Sequence, residues 1–139
     1  MISIRVMTKE DLDAVLENPL DPDVKVCVGN IPTQPALTAY IDNTVLAVGG
    51  VNWFWDGVGE AWVIYSKNIA THKWAIGRAT HRIFKILLNQ YQWRRVQAVV
   101  RTDWKEAVRM VENFGFHREG RMRRYCPNGD DVYMYGMVK

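Results

Sequence analysis

The sequence predicts an α/β domain of the α+β kind, in which a mixed, mostly antiparallel sheet of about seven strands is flanked by helices. One observation behind this is an ordinary globular composition, with 48% apolar and 24% charged residues in a chain of 139. The other is the order of elements that hydrophobic periodicity indicates, β-α-loop-β-β-β-α-β-α-β-β. Its strand-helix-strand-helix run inside a set of hairpins makes the sheet mixed. The length suits one domain over residues 1–139.

The first segment combines a short strand, a capped helix and a loop. Alternating apolar residues over 2–6 predict the strand. Thr8 and Asp11 form a Thr-x-x-Asp start, which is typical of a helix N-terminus because each side chain can accept from the other's backbone N–H. Prolines recur through residues 19–36, so this segment is predicted as loop, with a short apolar stretch at Val24–Val28.

Three antiparallel strands are predicted next, because runs rich in β-branched and aromatic residues alternate with turn signals. They cover Leu37–Ile41, Thr44–Trp55 and Glu60–Tyr65. Asp42–Asn43 and Asp56–Gly59 are the predicted turns, and Gly49–Gly50 is interpreted as a bulge. The spacing of Trp53 and Trp55 puts both on one strand face. Any of these aromatics left exposed would mark an interface with a second copy of the chain or with a host protein.

The second half of the chain alternates helices and strands. An apolar stripe at helical spacing predicts a long helix, and its members are Ile76, Ala79, Ile83, Leu87 and Tyr91. Arg95–Arg101 is a predicted strand. In the helix that follows, Asp103 and Glu106 are predicted to form a capping box and Gly115 the C-terminal cap. The tail reads strand, turn, strand, with Asn128–Gly129 as its hairpin signal.

Composition excludes several classes of protein. A net charge of +3 is too mild to favour nucleic acid as a partner. No run approaches the ~18 apolar residues of a membrane span, and the N-terminus turns polar too early for a signal peptide. Cys27 and Cys126 lack metal-ligand spacing, so no metal is expected; reduced thiols are favoured, and one disulfide stays open. A cytoplasmic protein without membrane contact is therefore predicted.

The order and lengths of the predicted elements, which cover nearly the whole chain, and three stretches in particular resemble the GNAT superfamily of N-acetyltransferases. Ala107 followed by Glu112-Asn113-Phe114-Gly115-Phe116 resembles the family's fourth-helix signature. "REGRMRRYCPNGDDVYMYGMV" is similar to its closing hairpin, and "IRVMTKEDLDAVLE" to its opening strand and helix. Within the family, "GEAWVIYSK" and "HKWAIGRATHRIF" most resemble small acetyltransferase-like proteins of tailed bacteriophages.

The resemblance implies a site for acetyl-coenzyme A as co-substrate. Family members bind its pyrophosphate with a loop patterned Gln/Arg-x-x-Gly-x-Gly/Ala before a helix, where backbone N–H groups and the helix dipole favour anions. Gly77-Arg78-Ala79 matches the second half of this pattern. Trp74 stands in the Gln/Arg place, so Lys73 and Arg78 are the candidate cations. The alternative is that Gly77 lies in the first turn of an amphipathic helix and has no binding role.

The resemblance also implies a pantetheine site and an acid–base pair. The pantetheine arm would take main-chain hydrogen bonds from Val63, Ile64 and Tyr65 on the fourth strand. The family's helix tyrosine falls at Val111, and its helix-start asparagine falls at Trp104, so two expected groups are absent.

Three other residues are candidates for proton transfer, which acetyl transfer to an amine requires. Glu60 begins the fourth strand and is the candidate base. Tyr125 in the closing hairpin is the candidate acid, and His72 is a third candidate because an imidazole can both accept and donate a proton. Each has an ordinary alternative, as an exposed turn carboxylate, a packing aromatic and a solvated loop residue respectively.

Two functional hypotheses follow. The first is an enzyme that moves an acetyl group from acetyl-coenzyme A to an amine of a small molecule or a protein. The second is a phage protein that keeps the fold without the chemistry, as a virion component or a host-protein binder. A homodimer is open in both. The arginines of the closing hairpin, within Arg118–Arg124, either border the acceptor site or form a solvated strand face.

Overall fold

A computed structural model describes residues 1–23 and 36–139. Its elements are β1 (Ser3–Val6), α1 (Lys9–Glu17), β2 (Ala36–Ile41), β3 (Thr44–Trp55), β4 (Val58–Tyr65), a 3-10 helix (Lys67–Thr71), α2 (Lys73–Asn89), β5 (Arg95–Arg101), α3 (Lys105–Phe114), β6 (His117–Met122) and β7 (Val132–Val138). This order is the predicted one. The apolar stretch Val24–Val28, with Cys27, lies outside the described residues.

The strands form one mixed sheet with the order β1-β2-β3-β4-β5-β7-β6. Neighbours pair antiparallel except β4 and β5, which are parallel. The crossover that α2 makes between β4 and β5 is the source of that one parallel pair. The predicted fold class, a seven-stranded and mostly antiparallel sheet flanked by helices, is therefore confirmed.

The β4–β5 ladder is far shorter than either strand. It comprises Val58–Arg95, Gly59–Val96 and Glu60–Gln97, and ends there. The ladder of β4 with β3, by contrast, continues to the pair Ala47–Tyr65. Beyond Glu60, β4 therefore follows β3 and leaves β5, so the sheet opens in a V whose vertex is the Glu60–Gln97 pair.

Helices cover both faces of the sheet. Helices α2 and α3 pack on one face, where the buried core includes Ile83, Val96 and Tyr135. On the other face α1 contributes Val15 to a smaller cluster with Val48 and Met7. The vertex of the V thus lies in a sheet that is anchored by apolar packing on each side.

Two predictions about β3 are wrong: the bulge at Gly49–Gly50 and the shared strand face of Trp53 and Trp55. The register shifts of the sheet fall at Ala39/Tyr40, Trp53/Trp55 and Arg118/Gly120, not at Gly49–Gly50. Gly49 instead lets α2 approach, since a Cβ there would lie 3.3 Å from Ile83 Cγ2. Trp53 pairs with Gly59 and Trp55 with Val58, so the bulge between them puts the two tryptophans on opposite faces.

The predicted helix termini are partly confirmed. The Thr8 hydroxyl accepts from the Asp11 N–H at 3.2 Å and the Asp11 carboxylate from the Thr8 N–H at 3.2 Å, which completes the predicted capping box of α1. The capping box predicted at Asp103 and Glu106 is wrong. The Trp104 N–H closes a turn onto the Arg101 carbonyl at 3.2 Å, which makes Trp104 the N-cap of α3, and no side chain caps it.

The end of α3 follows the prediction, but the end of α2 does not. Gly115 terminates α3 with φ 121°, a conformation that glycine adopts without strain. Helix α2 stops at Asn89, so Tyr91 lies beyond it. Its ring contacts Trp53 instead, with centroids 5.3 Å apart.

Candidate functional site

A cleft of about 830 Å³ opens where β4 and β5 separate, with α2 and α3 as its walls. Val63 and Tyr65 of its lining belong to the α2–α3 face of the sheet. Trp62 belongs to the α1 face, because it packs with the α1 cluster. Residues from both faces of the sheet, where β4 and β5 separate, therefore contribute to the lining of one cleft.

Most sequence-predicted site residues line this cleft. They are Glu60, Val63, Tyr65, Lys73, Trp74, Gly77, Arg78 and Tyr125. Ile64 lies on the other face of β4 and is buried against α1. Ala79 is on the side of α2 that is buried in the core. His72 is outside the lining and occupies the N-cap position of α2.

Of the three residues predicted to bind pantetheine through their main chains, one has main-chain groups available at the free edge of β4. The Ser66 N–H donates to the Leu46 carbonyl of β3 at 2.8 Å, so by strand alternation Ile64 also turns its main chain towards β3. The main-chain groups of Val63 and Tyr65 then face the gap. The Tyr65 carbonyl already accepts from the Leu20 N–H at 2.8 Å. Within residues 1–23 and 36–139, no main-chain partner takes the groups of Val63 that face the opening.

The predicted loop before the long helix is wrong, because α2 begins at Lys73 and residues 73–79 are helical. The Ile76 N–H donates to the His72 carbonyl at 2.8 Å, which starts the helix directly after the 3-10 turn. Gly77 consequently lies in the second turn of α2, where a Cβ would meet no atom within 4 Å. Trp74 is 89% exposed at the same end.

The outer rim of the cleft is cationic. Lys73 and Arg78 of α2 and Arg109 of α3 line it from two sides. Across the described ranges none of the three forms a salt bridge. Together with the N-terminal N–H groups of α2, they make a rim suited to phosphate groups. Arg109 was missed by the sequence analysis because only the packing of α3 against α2 brings it to this rim.

The Tyr65 side chain reaches from β4 to residues of both α2 and α3. Its hydroxyl lies 2.9 Å from the Thr80 hydroxyl and 3.5 Å from the Met110 sulfur. Because the Thr80 hydroxyl donates to the Ile76 carbonyl at 2.8 Å, the Tyr65 proton points to Thr80. Burial raises the pKa of Tyr65 to about 12. The phenol is therefore held protonated; the sequence-based prediction for Tyr65 concerned only its main chain.

At the vertex, Glu60 is the last of four side chains that are linked in a row from β6 to β4. The Gln97 amide donates to Glu60 Oε1 at 3.1 Å, and Gln97 Oε1 accepts from Arg95 Nε and Nη2 at 3.3 and 3.2 Å. Arg95 in turn pairs with Glu119 of β6 at 2.7 Å. The Arg95 hydrogen bond lowers the pKa of Glu119, and the same bond raises the pKa of Arg95. We call these four residues the vertex relay.

The far mouth of the cleft is tied together by Arg101. Its guanidinium lies 3.5, 3.4 and 3.5 Å from the carboxylates of Asp21, Asp23 and Asp130. These contacts join the segment after α1 to the β6–β7 hairpin. Tyr125 of that hairpin is 56% exposed and lines the same cleft as Glu60.

The hairpin arginines form contacts within the hairpin, and Arg118 also pairs with Glu112 of α3 at 3.5 Å. Arg118 stacks on the Tyr133 ring at 3.7 Å and donates to the Tyr135 hydroxyl at 3.2 Å. Arg121 pairs with Asp131 at 2.8 Å. None of the arginines within Arg118–Arg124 lines the cleft.

Two features are absent from the described part of the chain. Within residues 1–23 and 36–139 no three or more His, Cys, Asp and Glu side chains group as a metal site. In the same ranges no helix has the length and apolar character needed to cross a membrane.

The fold is that of solved acetyltransferases. Ard1 from Thermoplasma volcanium matches with a TM-score of 0.78 at 14% identity, over 99% of this chain and 97% of that one. An acetyltransferase of the GNAT family from Streptococcus pneumoniae matches with 0.72 at 14% identity, over 100% of both chains. Salmonella typhimurium yncA, solved with its cofactor acetyl-CoA, matches with 0.73 at 13% identity, over 99% and 93%. No protein-family model and no curated sequence matches the chain.

Proposed function

We propose that this protein is an N-acetyltransferase that moves an acetyl group from acetyl-coenzyme A to an amine of a small molecule or a protein. The observation that carries the proposal is the cleft at the β4–β5 vertex, which is lined from both faces of the sheet and bears three cations that form no salt bridge within the described residues. A nucleotide-bearing co-substrate and a separate acceptor would approach it from these two faces. The shared fold with acetyltransferases supports the same activity.

The residues present fit the coenzyme at two places. Lys73, Arg78 and Arg109 would hold its phosphates, helped by the dipole of α2. Val63 would pair its main chain with the pantetheine amides, as an added strand does at a sheet edge. Trp74 replaces the family's Gln/Arg, and its exposed ring offers a stacking surface at the same rim.

The chemistry at the vertex needs one proton acceptor and one donor. Glu60 would accept a proton from the attacking amine, and Tyr125 would donate to the leaving thiolate, since both line the cleft. Holding both substrates in one cleft adds a large positioning effect.

Calorimetric titration with acetyl-coenzyme A tests the proposal, with free coenzyme A in a thermal-shift control. Arg78→Glu should weaken binding about tenfold or more, because it reverses a charge on the rim. Arg82→Glu is the matched control: the same change on the same helix, outside the cleft lining. Equal losses in both variants would show a general charge effect. If the wild type does not bind acetyl-coenzyme A at millimolar concentration, the proposed enzymatic function is refuted.

The second candidate is a fold-only binding protein of a tailed phage. It is favoured by the exposed aromatics Phe54 (46%), Trp55 (63%) and Tyr91 (43%) near the β3–β4 turn. Such side chains are enriched in protein interfaces. A host protein or a second copy of this chain would be the partner. If acetyl-coenzyme A does not bind, losing a pull-down partner on Trp55→Ser would support this function.

A further inference from the structure

We propose that Gln97 is a positioning residue for the proton-accepting Glu60, and that Arg95 and Glu119 set the direction in which Gln97 donates. This inference rests on the proposed function, because Glu60 needs such positioning only if it deprotonates an amine. The Gln97, Arg95 and Glu119 part of the vertex relay belongs to no motif in the sequence.

The direction of the relay follows from hydrogen-bond chemistry. Arg95 can only donate, so the Gln97 atom facing it at 3.2–3.3 Å must be the carbonyl oxygen. The Gln97 amide nitrogen is then turned to Glu60, 3.1 Å away. A guanidinium held by a carboxylate at 2.7 and 2.8 Å cannot rotate away. Glu60 therefore receives an N–H donor in one defined orientation.

The backbone makes room for the relay. Glu60 and Gln97 are the last residues that pair in the β4–β5 ladder, so their side chains lie side by side where the two strands begin to separate. Between β5 and β6 the Arg95–Glu119 pair crosses β7 over Gly136, where a Cβ would come within 2.8 Å of Arg95 Nη1 and collide with the Glu119 carboxylate. Glycine at this position is thus required for the pair to lie flat against the sheet.

The step balances as follows. The amine nitrogen forms a C–N bond to the thioester carbonyl carbon, and Glu60 takes one N–H proton. The C–S bond breaks with its electrons on sulfur, and the thiolate takes up a proton from Tyr125, which recovers it from Glu60 through solvent. The products are an amide and a free thiol. Gln97 changes no bond and acts only by keeping the Glu60 carboxylate aimed at the amine.

A double-mutant cycle measures the inference. The probe is a short peptide with one free α-amine and one lysine, and turnover is followed by thiol release. Gln97→Leu should lower kcat about tenfold while acetyl-coenzyme A affinity stays within about twofold, since general bases contribute factors of this size or more. In a Glu60→Gln background Gln97→Leu should cause no further loss. A further loss of the same size there would overturn the proposal, because Gln97 would then act independently of Glu60.

Two more variants guard against a folding artefact. Arg95→Met leaves Gln97 in place and should lower kcat by about threefold, whereas Arg121→Met, which breaks a hairpin ion pair outside the relay, should leave it unchanged. A ligand-free arm records the side-chain amide signals of Gln97 by NMR. They should shift in Glu60→Gln and Arg95→Met and stay in place in Arg121→Met. Unmoved signals would overturn the relay itself.

The outcomes separate the two proposals. A wild type that binds acetyl-coenzyme A but acetylates neither amine of the peptide, with Gln97 signals that do shift, would overturn the positioning role. A wild type that binds no coenzyme would overturn the proposed function, and with it the catalytic meaning of the relay, whatever the NMR result.

Discussion

The charged side chains at the rim of the cleft and those at its vertex differ in whether protein partners hold them. At the rim, Lys73, Arg78 and Arg109 line open space without a salt bridge in the described part of the chain. At the vertex, Glu60 is held by Gln97 within a relay that ends in an ion pair. Unpaired surface cations are ready for a diffusible anion, whereas a fixed carboxylate is ready for chemistry.

The two regions also differ in how tightly the backbone is packed. A Cβ on Gly77 at the rim would meet no atom within 4 Å. A Cβ on Gly59 at the vertex would lie 2.7 Å from Trp53 Cε3 and 2.8 Å from Val51 Cγ1. The rim is thus open to a ligand, and the vertex is closed by its own side chains. Two substitutions, one at each region, test this contrast, and a third at a buried carboxylate outside the cleft gives a reference for it.

The largest effect is expected for Gly59→Ala. The added methyl would overlap a tryptophan ring and a valine methyl, and would lie 3.0 Å from the Asn52 carbonyl. Overpacking of this kind should cost about 2–3 kcal/mol of unfolding free energy, measured by denaturant titration. Gly120→Ala on β6, where a Cβ meets nothing within 4 Å, is the control and should cost far less. Similar losses in both would show that the vertex is not closely packed.

A smaller loss of unfolding free energy is expected for Asp11→Asn. This substitution removes a buried carboxylate that three other residues hydrogen-bond, at a place outside the cleft lining. Burial by itself raises the pKa of Asp11, but hydrogen bonds from Arg5, Thr8 and Thr38 outweigh it, and the net pKa is lowered from 3.8. Loss of these charge-assisted bonds should cost about 1–2 kcal/mol near neutral pH.

The lowered pKa fixes the pH dependence of this loss. A carboxyl whose folded pKa lies below its unfolded value stabilises the fold fully above pH ~4, and the stabilisation disappears as pH falls through the folded pKa. The gap between wild type and Asp11→Asn should therefore close on acidification. Asp13→Asn, an exposed position on the same helix, should leave stability unchanged throughout. A gap that persists at pH 2 would exclude the charged form as the cause.

The smallest effect, with the opposite sign, is expected for Gly77→Ala. Glycine within a helix costs about 0.5–1 kcal/mol relative to alanine, and the new methyl enters open space. Thermal unfolding should shift upwards, while the affinity for acetyl-coenzyme A should fall if its phosphates approach α2 at this point. Gly129→Ala, at φ 89°, should instead destabilise. Undiminished affinity in Gly77→Ala would move the phosphates away from the second turn of α2.

Local patterns were enough to predict the elements. The alternation that begins β1, the Thr8–Asp11 capping box and the Gly115 terminus all depend on residues close in sequence, and all are present. Errors arose where a neighbouring element decides. Gly49 serves the approach of α2, and the bulge beside Trp53 depends on the register with β4.

The candidate site divides in the same way. Glu60, Arg78 and Tyr125 could be singled out from a family resemblance, and the cleft brings all three together. Arg109 and Gln97 could not, since their side chains matter only through partners or neighbours on other elements.

The sequence by itself determined the order of strands and helices, because periodicity and capping act over a few positions, and its resemblance to a family supplied the candidate residues of the cleft. Only the tertiary structure decided where β4 and β5 part, which main-chain groups face the gap, that α2 begins at Lys73, and that Glu119 reaches Glu60 through Arg95 and Gln97. Those features are contacts between residues distant in sequence, and no local pattern records them.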